Sequence, residues 1–123
     1  MKKLTYKKAK KNCWDTFSKF IRQRDCGVCF TCGVKKHWKE MQAGHYVSRT
    51  HMSLFLDEIN VNCQCIGCNM FKGGNMDEYA IALKKKYGDD ILDWLHGRKQ
   101  EIKKYTAEDF VELTAKYKCR LKD

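Results

Sequence analysis

The chain has 123 residues, and its 43% hydrophobic and 12% aromatic content is too high for a disordered protein and suits one small domain. No apolar run approaches the roughly 20 residues of a membrane span, and the lysines at the N-terminus are not followed by the apolar segment of a secretory signal. We therefore expect a cytoplasmic protein without a membrane partner, in which the eight cysteines bind metal or stay free rather than form disulfides.

The net charge of +10 is concentrated at one end of the chain. Residues 1–24 hold nine Lys and Arg against one acidic residue, whereas residues 25–75 hold five against four and residues 76–123 hold eleven against ten. A basic segment on a nearly neutral body indicates a polyanionic partner, with nucleic acid favoured over an anionic membrane surface. The alternative is a solvated lysine face that only keeps the protein soluble.

The basic segment has the spacing of an amphipathic helix over residues 5–24. Trp14, Phe17, Phe20 and Ile21 recur every three or four residues, which predicts an apolar face that docks on the body. The basic residues of the same helix are candidates for contact with phosphate, namely Lys7, Lys8, Lys10 and Lys11.

The middle of the chain predicts two short strands and a short helix. Residues 36–48 contain one strand, residues 49–58 form a loop, and residues 59–64 alternate apolar and polar side chains as a strand does. A short helix begins near Ile66 or Gly67, and the two glycines that follow it end it.

The last third of the chain predicts packed helices. Asn75 has the character of an N-cap for a helix that Gly88 stops, a second helix runs over residues 89–104 with Ile102 toward the core, and Thr106 caps a third. We therefore expect an α+β protein with one structural domain, in three parts: a basic N-terminal helix over residues 1–24, a zinc-bound core over residues 25–75, and C-terminal helices over residues 76–123.

Two C-x-x-C pairs predict a structural zinc ion. Zinc binds four thiolates in a tetrahedron, and two such pairs supply them from two chain segments. Gly33 favours the pair that directly precedes it, since glycine tolerates the sharp turn of a zinc knuckle, but Cys26 or Cys63 remains an alternative for one ligand. The predicted ligands are Cys29, Cys32, Cys65 and Cys68.

Three polar residues near the two pairs are candidates for catalysis. A neutral imidazole at His45 can take a proton from water and so generate a nucleophile for attack on a phosphodiester. The carbonyl oxygen of Asn69 can bind a hard cation such as magnesium, although the residue also has the character of a helix cap. Asn60 either orients the His45 ring through a backbone contact or is simply a strand-end residue.

These residues carry a resemblance to a known family. The pattern resembles the zinc-containing HNH (ββα-metal) endonucleases, is similar to phage endonuclease VII, and more narrowly resembles the lambdoid-phage NinG (Rap) recombination endonucleases. The resemblance covers about residues 26–80. It rests on Cys29-x-x-Cys32-Gly33, Ala43-Gly44-His45-Tyr46, Glu58-x-Asn60, Gln64-Cys65-x-x-Cys68-Asn69, Lys72 and Gly74-Asn75-x-x-x-Tyr79.

The resemblance implies a metal-dependent endonuclease that hydrolyses phosphodiester bonds in branched DNA, such as Holliday junctions and D-loops. His45 would activate water, Asn69 would anchor Mg²⁺ or Mn²⁺, and Arg49 and Lys72 would bind phosphate. A homodimer is compatible with this activity, since a junction has two strands to cut. The alternatives are a sequence-specific HNH endonuclease and a non-catalytic zinc-binding DNA-binding module.

One position departs from the pattern of many HNH enzymes. They have an aspartate directly before the histidine as a second metal ligand, whereas this chain has Gly44, as the NinG family does. Asn69 with water and phosphate oxygens can hold the metal alone, or another side chain replaces the aspartate. The candidates are Asp57, Glu58, His51 and Asn75.

Overall fold

The longest element, helix α1 (Tyr6–Arg24), carries the basic segment of the chain in the computed structural model, which describes residues 3–122. The Thr5 hydroxyl caps the helix by accepting a hydrogen bond from the Lys8 backbone N–H at 3.2 Å. Phe17 and Ile21 are fully buried, so the predicted helix and its apolar face are confirmed. Residues 1 and 2 of the predicted helical part lie outside the described residues.

Two short antiparallel strands lie beneath this helix. Strand β1 (Gln42–His45) pairs with β2 (Val61–Gln64) in a register that sets Gly44 opposite Asn62. Val61 packs against the apolar face of α1, whereas Asn62 is buried on the other side of the sheet. A strand of four residues lies within each of the two predicted segments.

A single π-helical turn, Gly67–Phe71, follows β2 where a short helix was predicted. The chain then passes through Gly73, Gly74 and Asn75 with φ values of 57°, 95° and 52°. Asn75 occupies the N-cap position of the helix that follows, as predicted, but its backbone is left-handed and its side chain makes no capping hydrogen bond. Its Nδ2 instead donates to the Cys68 sulfur at 3.5 Å.

Three helices complete the chain: α2 (Met76–Tyr87), α3 (Ile91–Lys99) and α4 (Ala107–Lys118). Helix α3 ends five residues before the predicted boundary, and Ile102 is 89% exposed instead of facing the core. The Arg98 carbonyl accepts a hydrogen bond from the Ser53 hydroxyl at 2.6 Å, and the Arg98 guanidinium donates to the Ser53 carbonyl at 3.0 Å. This docking holds the end of α3.

The cap predicted for α4 at Thr106 is confirmed, and together with Asp109 it forms a capping box. The Thr106 hydroxyl accepts from the Asp109 backbone N–H at 3.1 Å, and the Asp109 carboxylate accepts from the Thr106 N–H at 2.8 Å. Helix α4 packs along α1, with the rings of Phe17 and Tyr117 edge to face at 4.9 Å. Two helices thus cover one face of the sheet.

The other face of the sheet is covered by α2. The buried Tyr79 hydroxyl donates to the Gly44 carbonyl at 2.7 Å and accepts from Asn62 at 3.1 Å. The expected α+β class is confirmed, with one small sheet between helices. Within residues 3–122, no helix is both long and apolar enough to cross a bilayer.

Candidate functional site

The four predicted zinc ligands converge in space. The sulfur atoms of Cys29, Cys32, Cys65 and Cys68 all lie within 4.8 Å of one another. The Sγ atoms of Cys32 and Cys65 are 3.7 Å apart, close to the ~3.8 Å edge of a tetrahedron with zinc–sulfur bonds of about 2.3 Å. Gly33 has φ of 81°, as expected for the turn of the first knuckle. The cluster can hold a zinc ion.

Both alternative cysteines lie outside this cluster. Cys26 is exposed at the end of α1, in a left-handed conformation with φ of 55°. Cys63 is fully buried beside the cluster, and burial together with the negative charges of Asp25 and Cys29 raises its thiol pKa to about 12. Neither residue replaces a ligand in this arrangement.

The environment of the cluster favours a thiolate at Cys29. Burial by itself raises the pKa of this thiol, but the Thr31 hydroxyl and the backbone N–H groups of Cys65 and Cys32 donate to the sulfur and lower the pKa to about 6. The crowding of sulfurs has the opposite effect on Cys32, whose pKa rises to about 12 despite a hydrogen bond from the Val34 backbone. A divalent cation bound by all four sulfurs stabilises each of them as a thiolate, including that of Cys32.

His45 ends strand β1 and is held by contacts on three sides. Its ring stacks on Trp14 at 4.9 Å and on Phe55 at 5.8 Å, and its Nε2 lies 2.9 Å from the Phe55 carbonyl oxygen. A carbonyl only accepts hydrogen bonds, so Nε2 carries the proton and Nδ1 retains its lone pair. Burial, helped by the positive charge of Arg49, lowers the pKa of His45 to about 4 although the Phe55 carbonyl opposes the shift.

Asn69 lies in the π-helical turn directly after the second cysteine pair. The Cys65 carbonyl accepts the Asn69 backbone N–H at 2.9 Å, so the zinc knuckle fixes the position of the turn. The side-chain Nδ2 donates to Gln42 Oε1 at 2.7 Å. His45 and Asn69 line the same groove, of about 270 Å³, together with Trp14, Gly44 and Arg49.

Asn60 contacts the loop between the strands, not the His45 ring. Its side chain is fully buried, accepts from the Val47 N–H at 2.8 Å, and donates to the carbonyls of Val47 and Leu54 at 3.0 Å each. Leu54 directly precedes Phe55, whose carbonyl accepts from His45. Asn60 therefore supports the orientation of His45 only through the backbone of this loop.

The predicted phosphate-binding residues do not all lie close to the groove. Arg49 lines the groove, with its guanidinium 5.3 Å from the centroid of the Trp14 ring. Lys10 Nζ lies 5.3 Å from the centroid of the Phe55 ring, which neighbours the His45 ring. Lys11 pairs with Asp15 at 2.7 Å. The remaining predicted residues are exposed on α1 or at the end of the π-helical turn, namely Lys7, Lys8 and Lys72.

None of the four candidates for the missing aspartate lines the groove. Asp57 accepts the backbone N–H groups of Ile59 and Asn60. Glu58 binds Arg120 and Tyr117, and these partners lower the pKa of its carboxyl although partial burial opposes them. The other two are His51, which precedes a 3₁₀ turn, and Asn75, which contacts Cys68.

The groove also depends on residues that the sequence did not single out. Trp14, Phe55 and the imidazole form a cluster of three rings, and this role follows from contacts across 31 and 10 residues of chain that no local pattern shows. Gln64 is fully buried beside Gly44. The only sequence feature that pointed to Gln64 was its position on β2, next to the second cysteine pair.

These features define a small α+β protein with a four-cysteine cluster that can hold a metal ion, next to a groove lined by His45 and Asn69. A family model described as "Bacteriophage Lambda NinG protein" matches residues 1–123, and the chain belongs to the NinG family.

Several curated relatives carry the name "Protein ninG". The chain is 33% identical to that of Escherichia phage 933W, 32% to that of Salmonella phage P22 and 31% to that of Escherichia phage lambda, each over 106 residues. These alignments cover 85% of this chain and 52%, 51% and 51% of the relatives, so the chain spans about half their length. No solved structure matches the chain.

Proposed function

We propose that this protein is a metal-dependent DNA endonuclease of the HNH type that acts on branched DNA. One observation carries the proposal: a neutral histidine with a free Nδ1 and an asparagine side chain line one groove beside Arg49 and Lys10. Binding DNA alone requires neither His45 nor Asn69 in such a groove. The sheet followed by the π-helical turn is the part that corresponds to the ββα-metal core in this proposal.

His45 is the proposed general base. With Nε2–H engaged by the Phe55 carbonyl, the ring presents Nδ1 as its acceptor, and water bound in the groove gives a proton to it. Stacking on Trp14 and the hydrogen bond to the Phe55 carbonyl hold the ring in place, so the base needs little reorganisation when substrate binds. The low pKa keeps the imidazole unprotonated at neutral pH.

Asn69 is the proposed holder of a catalytic divalent cation. Its carbonyl oxygen is the hard donor that Mg²⁺ or Mn²⁺ prefers, since its Nδ2 is already committed to Gln42. A divalent cation, when bound, supplies charge neutralisation at the scissile phosphate and at the leaving oxygen. The separate four-thiolate cluster suits zinc, so the two metals are sorted by ligand type.

Positive charges around the groove are the proposed contacts to DNA. Arg49 and Lys10 flank His45, and the exposed residues Lys7 and Lys72 extend the basic surface. Such contacts position the backbone of DNA without reading its sequence. The preference for branched substrates, the homodimer that would cut two strands, and action in the host cytoplasm come from the resemblance to the lambdoid-phage recombination endonucleases.

A cleavage assay with Mg²⁺ tests this function. Zinc-loaded protein is incubated with a four-way junction and with a linear duplex of the same sequences, with and without EDTA. We expect metal-dependent cutting of the junction in preference to the duplex. Cutting of one linear sequence alone would indicate a sequence-specific HNH enzyme, and binding without cutting would indicate a zinc-binding DNA module.

A further inference from the structure

Gln64 carries a buried oxygen atom for which the protein provides no hydrogen-bond donor. Its side chain is fully buried, and within residues 3–122 its Oε1 is the one buried side-chain nitrogen or oxygen that lacks a hydrogen-bond partner. A buried carbonyl oxygen without a partner is costly, so native proteins satisfy such atoms with protein, water or an ion. We propose that Gln64 Oε1, together with Asn69 Oδ1, forms the ligand pair of the catalytic divalent cation. This assignment rests on the endonuclease function proposed above.

The orientation of the Gln64 amide is fixed by its other end. Nε2 donates to the Gly74 carbonyl at 2.8 Å and to the Thr31 hydroxyl at 3.2 Å. A flipped amide would set its oxygen against the Gly74 carbonyl oxygen, and two acceptors cannot bond. Oε1 therefore has to lie on the side of Gly44.

Asn69 is oriented through Gln42, whose own Nε2 approaches the Met70 sulfur at 3.4 Å. Its Nδ2 donates to Gln42 Oε1 at 2.7 Å, and its Oδ1 is left on the side of Gly44. A Cβ atom added to Gly44 would lie 1.8 Å from Gln64 Oε1 and 2.7 Å from Asn69 Oδ1. Two amide oxygens thus meet over one glycine, with both amide nitrogens engaged elsewhere, and a small hard cation is the partner that both oxygens lack.

This arrangement explains the glycine before the catalytic histidine. Gln64 Oε1 occupies the place where the side chain of residue 44 would begin, so an oxygen from β2 stands in for a carboxylate carried by β1. Gly44 and the half-buried Asn69 both line the groove that also holds His45. Gln64, directly before the second cysteine pair, thus supplies the second metal ligand that the sequence leaves unassigned.

Binding of Mn²⁺ to zinc-loaded full-length protein, followed by electron paramagnetic resonance, tests the assignment without DNA or activity. Gly44→Ala fills the place of the two oxygens, and its backbone tolerates alanine because its φ is not positive. Gln64→Met keeps the side-chain length and removes the oxygen. We expect each variant to weaken Mn²⁺ binding by about tenfold or more, the scale on which removal of groups around a metal site reduces its affinity.

Two remote substitutions are matched controls. Gly97→Ala adds a Cβ where no atom lies within 4 Å, and Gln100→Met changes an exposed glutamine. Both should bind Mn²⁺ as the unmodified protein does. Circular dichroism and zinc content confirm folding. If neither Gly44→Ala nor Gln64→Met folds, Asn69→Ala at its half-buried position decides the question, and unchanged Mn²⁺ binding by this variant overturns the ligand pair.

The outcomes separate this inference from the function on which it rests. Unchanged Mn²⁺ affinity in folded Gly44→Ala, or no Mn²⁺ binding by the unmodified protein, overturns the ligand assignment even if the protein cuts DNA. Weakened binding in both variants supports the assignment, and absence of DNA cutting by the unmodified protein would then refute only the endonuclease.

Discussion

The imidazole of His45 stacks on the indole of Trp14, with ring centroids 4.9 Å apart and ring planes 22° apart. Trp14 belongs to the basic helix α1, so the segment with the largest excess of positive charge also forms a wall of the groove. A single contact thereby joins the proposed DNA-binding helix to the proposed catalytic base. This relationship leads to the first prediction.

Trp14→Ala should impair both stability and the electrostatics of His45. Trp14 is only half-buried, so we expect a decrease of about 2–3 kcal/mol in the unfolding free energy, below the ~3–5 kcal/mol of a fully buried aromatic residue. Water that enters beside the imidazole should move its pKa upward from about 4 toward its ordinary value. Urea unfolding measures the first effect and an NMR titration of the ring measures the second. Trp14→Phe should change both quantities less, and a pKa that does not move in Trp14→Ala would contradict the account.

The low pKa of His45 predicts a pH profile. A base with an ordinary histidine pKa of about 6.5 would lose about eightfold in rate between pH 7.0 and pH 5.5, whereas His45, with a pKa of about 4, should remain unprotonated at both. We therefore expect kcat/KM to be equal at these two pH values, in samples whose zinc content is verified. An acid limb with a midpoint near pH 6.5 would contradict this environment for His45.

The same shift affects folding. Between pH 6.5 and pH 4 the unfolded chain binds a proton at His45 that the folded protein does not, so stability rises with pH over this window. The contribution is complete above about pH 6.5 and is lost as the pH falls toward 4. Urea unfolding should therefore show a difference in stability between the unmodified protein and His45→Ala that changes between pH 4 and pH 6.5. A difference in stability that stays constant with pH would contradict this contribution of His45.

Removal of one thiolate should disorder the centre of the protein. Cys68→Ser should lower the zinc content below one per chain and strongly reduce the unfolding free energy, because zinc binding to such sites contributes on the order of 10 kcal/mol. Cys26→Ser is the matched control, since Cys26 is exposed and outside the cluster. Metal analysis of the two variants measures the zinc content, and urea unfolding measures the unfolding free energy. A folded Cys68→Ser protein with unchanged stability and no zinc would show that the cluster is not structural.

The basic residues should contribute unequally to DNA binding. Lys10→Ala and Arg49→Ala remove charges close to the groove, so each should weaken binding and reduce the slope of log K against log salt by about 0.9 for each phosphate that is no longer neutralised. Lys8 is two residues from Lys10 and therefore lies on a different side of α1. Lys8→Ala should leave the slope nearly unchanged. Equal effects of Lys8 and Lys10 in a salt titration would mean that the helix attracts DNA only through its total charge.

Local patterns in the sequence predicted the elements that depend on local physics. The spacing of the cysteines predicted the cluster, the spacing of Phe17 and Ile21 predicted the buried face of α1, and Thr106 predicted the cap of α4. In each case, residues a few positions apart interact directly, or a metal requires a fixed ligand spacing.

Contacts between distant residues account for what the sequence did not predict. Helix α3 ends early because Arg98 docks on Ser53, 45 residues away. Asn75 follows two glycines in a left-handed bend that places its amide at a cysteine sulfur, so it precedes α2 as predicted but does not cap the helix through its side chain. The place of Gln64 beside Gly44 depends on the pairing of the strands and on hydrogen bonds to Gly74 and Thr31, which no motif encodes.

His45→Ala tests the central claim most directly. The substitution removes the proposed base and leaves the four cysteines untouched, so zinc content and junction binding should be retained while cleavage falls by on the order of 10²–10⁴-fold. Asn69→Ala should also lose activity, with partial recovery at raised Mn²⁺, and the other histidines, His37, His51 and His96, serve as alanine controls. The decisive measurement is the single-turnover rate of four-way-junction cleavage by zinc-loaded His45→Ala with Mg²⁺. A decrease of that size supports the account, and cleavage at the rate of the unmodified protein would contradict it.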